Sequence, residues 1–235
     1  MDKLNSRKED IVEKILTENE ILHTDMMSKE QIKVVLENLK IVLDNNIEGD
    51  IVELGCYVGT TSLFIRRLLN AYNSNKKFYV YDSFEGLPEK GKEDKSKNPI
   101  SKLFKKGFVK VPKEFLIENF KRAKLESPII NKGWFNKIHN RKLPKKISFG
   151  FFDGDFYSSI TYSFKKVYTR LTSGARIVID DYDWDATPGV KKACRNFLKD
   201  KPEKETMVSI NGEGLFIKKP IIINKILELK QRLKN

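Results

Sequence analysis

Acidic residues stand at or near the ends of four predicted β-strands, where their type and placement could support chemistry. Glu53 lies in the run IVEL, Asp82 follows FYVY, Asp153 follows ISFGFF, and Asp180 and Asp181 follow ARIVI. Ligands of open α/β sheets bind beyond the carboxyl ends of the strands, so we expect these acids to share one cleft. Each close pair of like charges repels by about 1 to 4 kcal/mol, depending on the local dielectric. Such a cleft therefore requires either a bound cation that offsets the repulsion or protonation of some of the carboxyl groups.

The acids fall into two groups with different chemistry. Asp82 follows the second strand, where an acid commonly accepts hydrogen bonds from ribose hydroxyls, and Glu53 could hold the same nucleoside. Asp153, Asp180 and Asp181 offer the hard oxygen ligands that suit Mg²⁺. A bound Mg²⁺ would acidify a substrate hydroxyl and fix its oxygen, and a substrate with two adjacent hydroxyls could replace the water ligands. A simple D-G-D turn and helix capping by Asp180-Asp181 are the structural alternatives.

The first of these strands leads into a glycine turn and a helix. Residues 51–62 read IVELGCYVGTTS, with Gly55 and Gly59 in a G-x-x-x-G spacing and hydroxyl residues that can cap the helix. The spacing matches neither the dinucleotide motif G-x-G-x-x-G nor the P-loop, because no lysine follows Gly59. The glycines would let an adenosine-type ligand approach the backbone, although a purely structural turn has the same pattern.

Strands and helices alternate along the chain, which predicts an α/β fold with a mostly parallel sheet and right-handed crossovers. Buried strands are predicted at 51–54, 78–81, 147–152 and 175–179, with a closing hairpin at 206–210 and 215–218. Amphipathic helices are predicted at 8–20, 28–44, 62–72, 113–125, 160–171, 190–198 and 222–233. The second helix begins with a Ser28/Gln31 capping-box spacing, and Gly174 is expected to end the fifth.

Composition indicates one globular unit. With 235 residues and 40% hydrophobic content, the chain can bury one good core. We therefore expect a single domain over 1–235, with a helical cap at 1–47 and an insertion at 88–147. No apolar run is long enough to span a bilayer and no signal-peptide h-region is present, so we expect a cytoplasmic protein. Cys56 and Cys194 each sit in an apolar pattern and are expected to be buried free thiols.

The net charge of +13 is concentrated in the insertion. Residues 88–147 hold 18 Lys+Arg against 6 Asp+Glu, a local excess of 12. The segment has weak periodicity, so we expect a basic lid that is largely loop. Such local charge suggests an acidic partner, for example a phosphate-bearing or otherwise anionic acceptor. A lysine-rich solvated surface is the alternative.

Five stretches together resemble a known family. In chain order, VELGCYVGTTS, VYDSFEGLP, KGWF, FFDGDFYSS and IVIDDYDW resemble the macrocin O-methyltransferase family over about residues 48–200. The resemblance implies a Rossmann-like class I methyltransferase fold of class α/β, with N-terminal helices and a mostly parallel seven-stranded sheet that has an antiparallel edge hairpin. It also implies S-adenosylmethionine and Mg²⁺ as cofactors.

Carried onto this chain, the resemblance implies a role for each motif residue. The cofactor-binding residues would be Glu53, Gly55, Tyr57, Gly59, Thr60 and Ser62 around the methionine and ribose, Asp82 with Ser83 at the ribose hydroxyls, and Trp134 near the adenine. Asp153, Asp180 and Asp181 would bind Mg²⁺. Asp183 would be the general base, and the resemblance implies Asp153 and Asp183 as the catalytic residues.

The sequence thus predicts an S-adenosylmethionine- and Mg²⁺-dependent O-methyltransferase acting on a sugar hydroxyl of a glycan, nucleotide sugar or glycosylated metabolite. A catechol- or phenol-type acceptor is a second hypothesis, because its paired hydroxyls would chelate the metal equally well. A third is a non-catalytic nucleic-acid-binding protein on a degenerate methyltransferase fold, which the basic segment favours but no recognisable nucleic-acid motif supports. A homo-oligomer is left open.

Overall fold

The computed structural model of the chain describes residues 11–19 and 26–219. Residues 11–18 are helical, in agreement with the helix predicted at 8–20. The helix predicted at 222–233 lies outside the described residues. Within the described ranges, no helix is long and apolar enough to cross a membrane. The cytoplasmic location, the single domain over 1–235 and the cap at 1–47 stay predictions.

One seven-stranded sheet forms the centre of the fold. Its strands are β1 (Asp50–Leu54), β2 (Phe78–Asp82), β3 (Ile129–Lys132), β4 (Ile147–Phe152), β5 (Leu171–Ile179), β6 (Val208–Ile210) and β7 (Glu213–Ile217). Their order is β3-β2-β1-β4-β5-β7-β6, and the neighbours from β3 to β5 are parallel. Every residue of the central strand β4 is buried, as expected for a parallel strand covered on both faces. The predicted α/β, Rossmann-like fold is confirmed.

The chain closes the sheet with the predicted hairpin. β7 runs antiparallel to both β5 and β6. The turn between β6 and β7 consists of Asn211 and Gly212, whose φ angles are 52° and 90°. Two positive φ angles match the twist of a tight hairpin, and Asn-Gly is the pair that adopts them most readily. Because Gly214 pairs with Ile179, the start of β7 lies beside the carboxyl end of β5.

Helices cover both faces of this sheet. They are α1 (Lys29–Asp44), α2 (Thr60–Ala71), α3 (Lys113–Arg122), α4 (Tyr157–Val167) and α5 (Gly189–Leu198). Side chains of α1, α2 and α3 belong to the hydrophobic core on one face, and those of α4 and α5 to the core on the other. The predicted capping box between Ser28 and Gln31 starts α1. Cys56 and Cys194 are buried and free, as predicted.

Two details of the predicted elements are wrong. The helix expected to reach Leu171 ends at Val167, and β5 already begins at Leu171, so Gly174 lies inside a strand rather than at a helix end. The insertion, expected to be largely loop, contains β3 in addition to the predicted helix α3. β3 is a short strand at the edge of the sheet, and its first residue, Ile129, is 45% exposed. A strand of this kind has little hydrophobic pattern to detect.

The insertion is attached to the domain through a buried carboxylate. Asp94 accepts hydrogen bonds from the backbone N–H groups of Tyr157 (2.7 Å), at the start of α4, and Gly91 (2.9 Å). A Cβ built on Gly189, at the start of α5, would lie 1.7 Å from Asp94 Oδ1, so a larger residue has no room there. Asp94 thus docks the insertion onto the first turns of two helices. Whether the insertion acts as a lid stays a prediction.

Candidate active site

A cavity of about 680 Å³ opens at the edge of the sheet where the parallel strands end. It is formed by the turns after these strands, by the insertion, by the start of α1 and by the hairpin turn. Nine of the predicted site residues line it, namely Gly55, Tyr57, Asp82, Ser83, Trp134, Asp153, Asp180, Asp181 and Asp183. The structure therefore brings acids from β2, β4 and β5 into one cleft.

Asp82 ties the turn after β1 to the end of β2. Its Oδ2 accepts hydrogen bonds from the backbone N–H groups of Cys56 (2.9 Å) and Tyr57 (3.3 Å), and its Oδ1 accepts one from Phe84 (2.7 Å). Gly55 and Tyr57 both have positive φ, 94° and 48°, which turns the backbone sharply. The carboxylate of Asp82 shapes this turn, and each of its oxygens has lone pairs for more than one donor.

Four residues that were expected to contact the cofactor do not line the cavity, namely Glu53, Gly59, Thr60 and Ser62. Side chains alternate between the faces of a strand, and Glu53 faces the side of β1 that packs on α2. There it is fully buried and accepts a short hydrogen bond from Ser62 Oγ. Burial raises the pKa of Glu53 well above its usual range, although the Ser62 bond opposes the shift. Cofactor contact by these four residues stays a prediction.

Trp134 and Ser83 lie next to the end of β2. Trp134 reaches this place because β3 pairs with β2, and the N–H of the preceding residue, Gly133, donates to Asp82 O at 2.7 Å. Ser83 Oγ accepts a hydrogen bond from the N–H of Glu85 (3.0 Å), which closes the turn after β2. Both side chains line the cavity, and their contacts with adenine and ribose stay predictions.

The cavity concentrates negative charge at the ends of β4 and β5. Asp153 and Asp180 directly follow the paired residues Phe152 and Ile179, and the Asp180 N–H donates to Phe152 O at 2.9 Å. Burial, followed by the charges of Asp181 and Glu213, raises the pKa of Asp153 to about 8. Burial and the charge of Glu213 raise the pKa of Asp180 well above its usual range. Burial does the same to the pKa of Asp181, although a hydrogen bond from Thr187 Oγ1 (3.4 Å) opposes it.

These acids lie close enough to influence each other's pKa, but they are not arranged around one common point. Across residues 11–19 and 26–219, no three His, Cys, Asp or Glu side chains form a group that could hold a metal ion as they stand. The donors are all carboxylates, however, which are the ligands that Mg²⁺ prefers. Closely spaced carboxyl groups retain protons because their negative charges repel, and a cation that binds to the carboxylates releases those protons. The donor chemistry fits Mg²⁺, and the assignment of Asp153, Asp180 and Asp181 as its ligands stays a prediction.

Sequence reasoning missed Gln31 and Glu213, which meet inside the cavity. Gln31 Nε2 donates hydrogen bonds to Glu213 Oε1 (3.1 Å) and Asp180 Oδ1 (3.4 Å), while Gln31 Oε1 accepts one from the Ser28 N–H (3.0 Å). The capping box of α1 therefore reaches the acids of β5 and β7. A signal for Glu213 existed, because the first residue of an antiparallel strand lies beside the carboxyl end of its partner. Nothing in the sequence relates Gln31 to these acids.

Asp183, the predicted general base, and Asp155, a second acid in the cavity that could accept a proton, have opposite surroundings. Asp183 is exposed and forms an ion pair with Lys191. Hydrogen bonds from Lys191 and Ser209 lower the pKa of Asp183, which weakens it as a base. Asp155 lines the same cavity, and burial followed by the charge of Asp153 raises its pKa well above its usual range. The role of Asp183 as general base stays a prediction, and its surroundings argue against it.

Three aromatic side chains form part of the cavity lining, and we call them the aromatic wall: Phe104, Phe108 and Trp184. The ring centroids of Phe104 lie 5.4 Å from those of both Phe108 and Trp184. The wall is held by the backbone, since the Leu87 N–H donates to Phe108 O and the Gly107 N–H donates to Leu87 O, both at 2.9 Å. Such rings offer an apolar surface for a sugar face or a planar group. The weak periodicity of the insertion concealed the contribution of Phe104 and Phe108 to this wall in the sequence.

The sheet order, the turn after β1 and the acid-lined cavity define a class I S-adenosylmethionine-dependent methyltransferase fold. The solved structure of the O-methyltransferase NovP superimposes with a TM-score of 0.72 at 22% identity, covering 83% of this chain and 81% of that one. CalS11, a calicheamicin methyltransferase, superimposes with a TM-score of 0.61 at 18% identity over 90% of this chain and 91% of that one. These likenesses concern the fold.

The chain belongs to the macrocin-O-methyltransferase (TylF) family, whose model matches residues 13–219. It is similar to a tetracenomycin rhamnosyl 4'-O-methyltransferase of Streptomyces olivaceus, with 31% identity over 77% of this chain and 71% of the relative. It is also similar to the demethyldecarbamoylnovobiocin O-methyltransferase of Streptomyces niveus, with 24% identity over 83% of this chain and 74% of the relative. The protein is therefore an O-methyltransferase, as the sequence predicted.

Proposed function

We propose that the protein transfers the methyl group of S-adenosylmethionine to a sugar hydroxyl, with Mg²⁺ bound at Asp153, Asp180 and Asp181. The observation behind this proposal is one cavity that has the turn after β1 on one side and a concentration of buried carboxyl groups on the other. A methyl donor and an acidified hydroxyl must meet in line for transfer, and this cavity offers binding groups for both.

The donor side of the cavity suits an adenosine-type cofactor. The backbone at Gly55 and Tyr57 is exposed to the cavity without a bulky side chain at position 55, and Asp82 stands beside it. We assign Asp82 and Ser83 to the ribose hydroxyls and Trp134 to the adenine. When bound, the cofactor supplies an electrophilic methyl group on sulfur. The residues of this side fix its orientation and exclude water from it.

The acceptor side suits a hydroxyl group that must lose its proton. When bound, the cation lowers the pKa of the hydroxyl and holds its oxygen. We propose Asp155 as the proton acceptor instead of Asp183, because burial raises the pKa of Asp155 while Lys191 lowers that of Asp183. A carboxylate with a higher pKa binds the transferred proton more strongly. Asp155 also follows β4 in the same motif as Asp153.

The relatives and the aromatic wall support a glycosylated acceptor. The Streptomyces olivaceus relative is named for a rhamnosyl group on tetracenomycin, and a Micromonospora griseorubida relative, 24% identical over 83% of this chain and 78% of the relative, is named as a mycinamicin III 3''-O-methyltransferase. The first of these names describes a sugar, a rhamnosyl group, attached to another group, tetracenomycin C. Phe104, Phe108 and Trp184 would cover such a group.

A catechol-type phenol is the competing acceptor, because the same rings could cover an aromatic ring directly. Lys137 also lines the cavity, so an anionic acceptor such as a nucleotide sugar belongs in the same comparison. The test offers labelled S-adenosylmethionine with rhamnosides, nucleotide sugars and catechols, each with Mg²⁺ or with a chelator. We expect label in the rhamnosides and its loss with chelator. Transfer to catechols alone would reject the sugar acceptor, and equal transfer in chelator would reject the role of Mg²⁺.

A further inference from the structure

Glu213 is a buried carboxylate that lines the cavity, and it lies outside the sequence motifs whose acids have an expected role. It is the first residue of β7 and is only 1% exposed. Its Oε1 accepts the hydrogen bond from Gln31, whereas no hydrogen-bond donor among the described residues reaches its buried Oε2. Buried carboxylate oxygens normally have partners in native proteins, so an unpaired one in a ligand cavity calls for a partner from outside the chain.

The surrounding backbone fixes Glu213 beside the acids of β5. Gly214 pairs with Ile179, and the Asp183 N–H donates to Gly212 O at 3.0 Å, so the hairpin turn and the loop after β5 are joined. Gln31 Nε2 donates to both Asp180 Oδ1 (3.4 Å) and Glu213 Oε1 (3.1 Å), so these two carboxyl groups lie close together. The side chain therefore lines the cavity and has little freedom to turn toward bulk solvent.

The donor that the chain does supply is neutral. Gln31 bonds to both Asp180 and Glu213 through one amide nitrogen, and that amide is itself held by the capping box of α1. An amide orients carboxylates without cancelling their charge, whereas a lysine at the same place would neutralise one of them. None of the ion pairs among the described residues includes Asp153, Asp180 or Glu213. The described residues therefore supply no cationic partner for these three groups.

We propose that Glu213 is a further oxygen ligand of the divalent cation at Asp153 and Asp180, with Gln31 as the positioning residue that holds it there. This inference rests on the proposed role of Mg²⁺. It brings a ligand from the antiparallel hairpin to a site whose other acids follow parallel strands. Carboxylate oxygens of this kind suit Mg²⁺ and its spectroscopic substitute Mn²⁺.

The test is Mn²⁺ binding to the full chain, without cofactor or acceptor, measured by electron paramagnetic resonance and calorimetry. Glu213→Gln keeps the shape of the side chain and removes its charge. Glu48→Gln is the matched control, because Glu48 is exposed and pairs with Lys146 at the opposite end of the sheet. We expect Glu213→Gln to weaken Mn²⁺ binding about tenfold to a hundredfold, and Glu48→Gln to leave it unchanged. Equal affinity in wild type and Glu213→Gln would overturn the inference.

A melting experiment separates this role from a structural one. If Glu213 serves the cation, removing its charge relieves repulsion, so the metal-free variant melts at the same or a higher temperature while gaining less from Mn²⁺ than wild type does. A lower metal-free melting temperature with the full gain from Mn²⁺ would make Glu213 structural and overturn the inference alone. Failure of wild type to bind Mn²⁺, with methyl transfer undiminished in chelator, would overturn the proposed role of Mg²⁺ as well.

Discussion

Gly55 lies so close to Asp153 that a Cβ built on the glycine would stand 1.8 Å from the Asp153 carbonyl oxygen. The turn after β1 and the acid motif after β4 therefore touch through their backbones, because β1 and β4 are neighbours in register. The proposed donor and acceptor sides of the cavity are therefore joined through backbone atoms. This contact fixes the distance between them.

Gly55→Ala should disrupt this contact. The added methyl group would meet backbone that cannot move aside, and the φ of 94° is itself unfavourable for alanine. We expect a loss of at least about 3 kcal/mol in the free energy of unfolding, measured with urea. Gly107→Ala is the matched control, since Gly107 has a φ of 79° with nothing within 4 Å of the added Cβ. Its loss should be about 1 kcal/mol, and similar losses in both variants would contradict the role of the contact.

Asp155→Asn and Asp183→Asn distinguish the two candidate bases. If Asp155 accepts the proton, its replacement should lower kcat about 100-fold or more, while the affinity for S-adenosylmethionine stays within a few-fold. Asp183→Asn should change kcat less than about tenfold, because the pKa of Asp183 is already lowered by Lys191. Single-turnover rates with labelled cofactor measure both. The reverse order of effects would restore Asp183 as the base.

Asp94→Asn should loosen the insertion. Both carboxylate oxygens accept backbone N–H donors, from Tyr157 and Gly91, and an asparagine can accept only one of them. We expect a loss of about 1.5 to 3 kcal/mol in stability and a raised KM for the acceptor, because Phe104 and Phe108 of the aromatic wall belong to the same insertion. Glu93→Gln, with the same change of charge one residue away, is the control. An unchanged KM in Asp94→Asn would show that docking does not shape the acceptor site.

Glu203→Gln tests a buried ion pair away from the site. Glu203 pairs with Lys218 at 2.8 Å, their side chains are 1% and 9% exposed, and Tyr168 also donates to Glu203 at 2.7 Å. Leaving Lys218 without its partner should cost about 3 kcal/mol in the free energy of unfolding at pH 7. The exposed pair of Glu48 and Lys146 is the comparison, where Glu48→Gln should cost less than about 1 kcal/mol.

The pH dependence of this pair has a definite sign. Burial alone would raise the pKa of Glu203, but the hydrogen bonds from Lys218 and Tyr168 outweigh it, so the folded state has a lowered pKa. A carboxylate with a lowered pKa contributes stability above its unfolded pKa and loses it as the pH falls through the folded value. The difference in stability between wild type and Glu203→Gln should therefore shrink below about pH 4. A difference that stays constant down to pH 3 would contradict this.

The sequence predicted the parts of the site that depend on strand ends. A parallel sheet puts the carboxyl ends of its strands at one edge, so the sequence alone predicts that Asp82, Asp153 and Asp180 share one cleft. Glu53 shows the limit of that argument. It lies one residue before the end of β1, and the alternation of strand faces directs it toward Ser62 instead of the cavity.

The remaining parts depend on packing between distant segments. Gln31 reaches Asp180 only because α1 packs across the sheet, and the spacing of residues in the sequence does not predict that contact. The aromatic wall forms because the insertion docks at Asp94 and brings Phe104 against Trp184. Neither Phe104 nor Trp184 lies in a periodic pattern that marks a shared surface. Such contacts between segments far apart in the chain are the part that sequence reading could not supply.

The place of Glu213 has a consequence for how the enzyme matures during synthesis. The cavity is lined by Gln31 from near the start of the described chain and by Glu213 from near its end, and β7 is the last strand among the described residues. The ribosome synthesises the turn after β1 long before it synthesises this hairpin. The proposed cation ligand Glu213 therefore joins the cavity only after nearly all of the described chain has been synthesised.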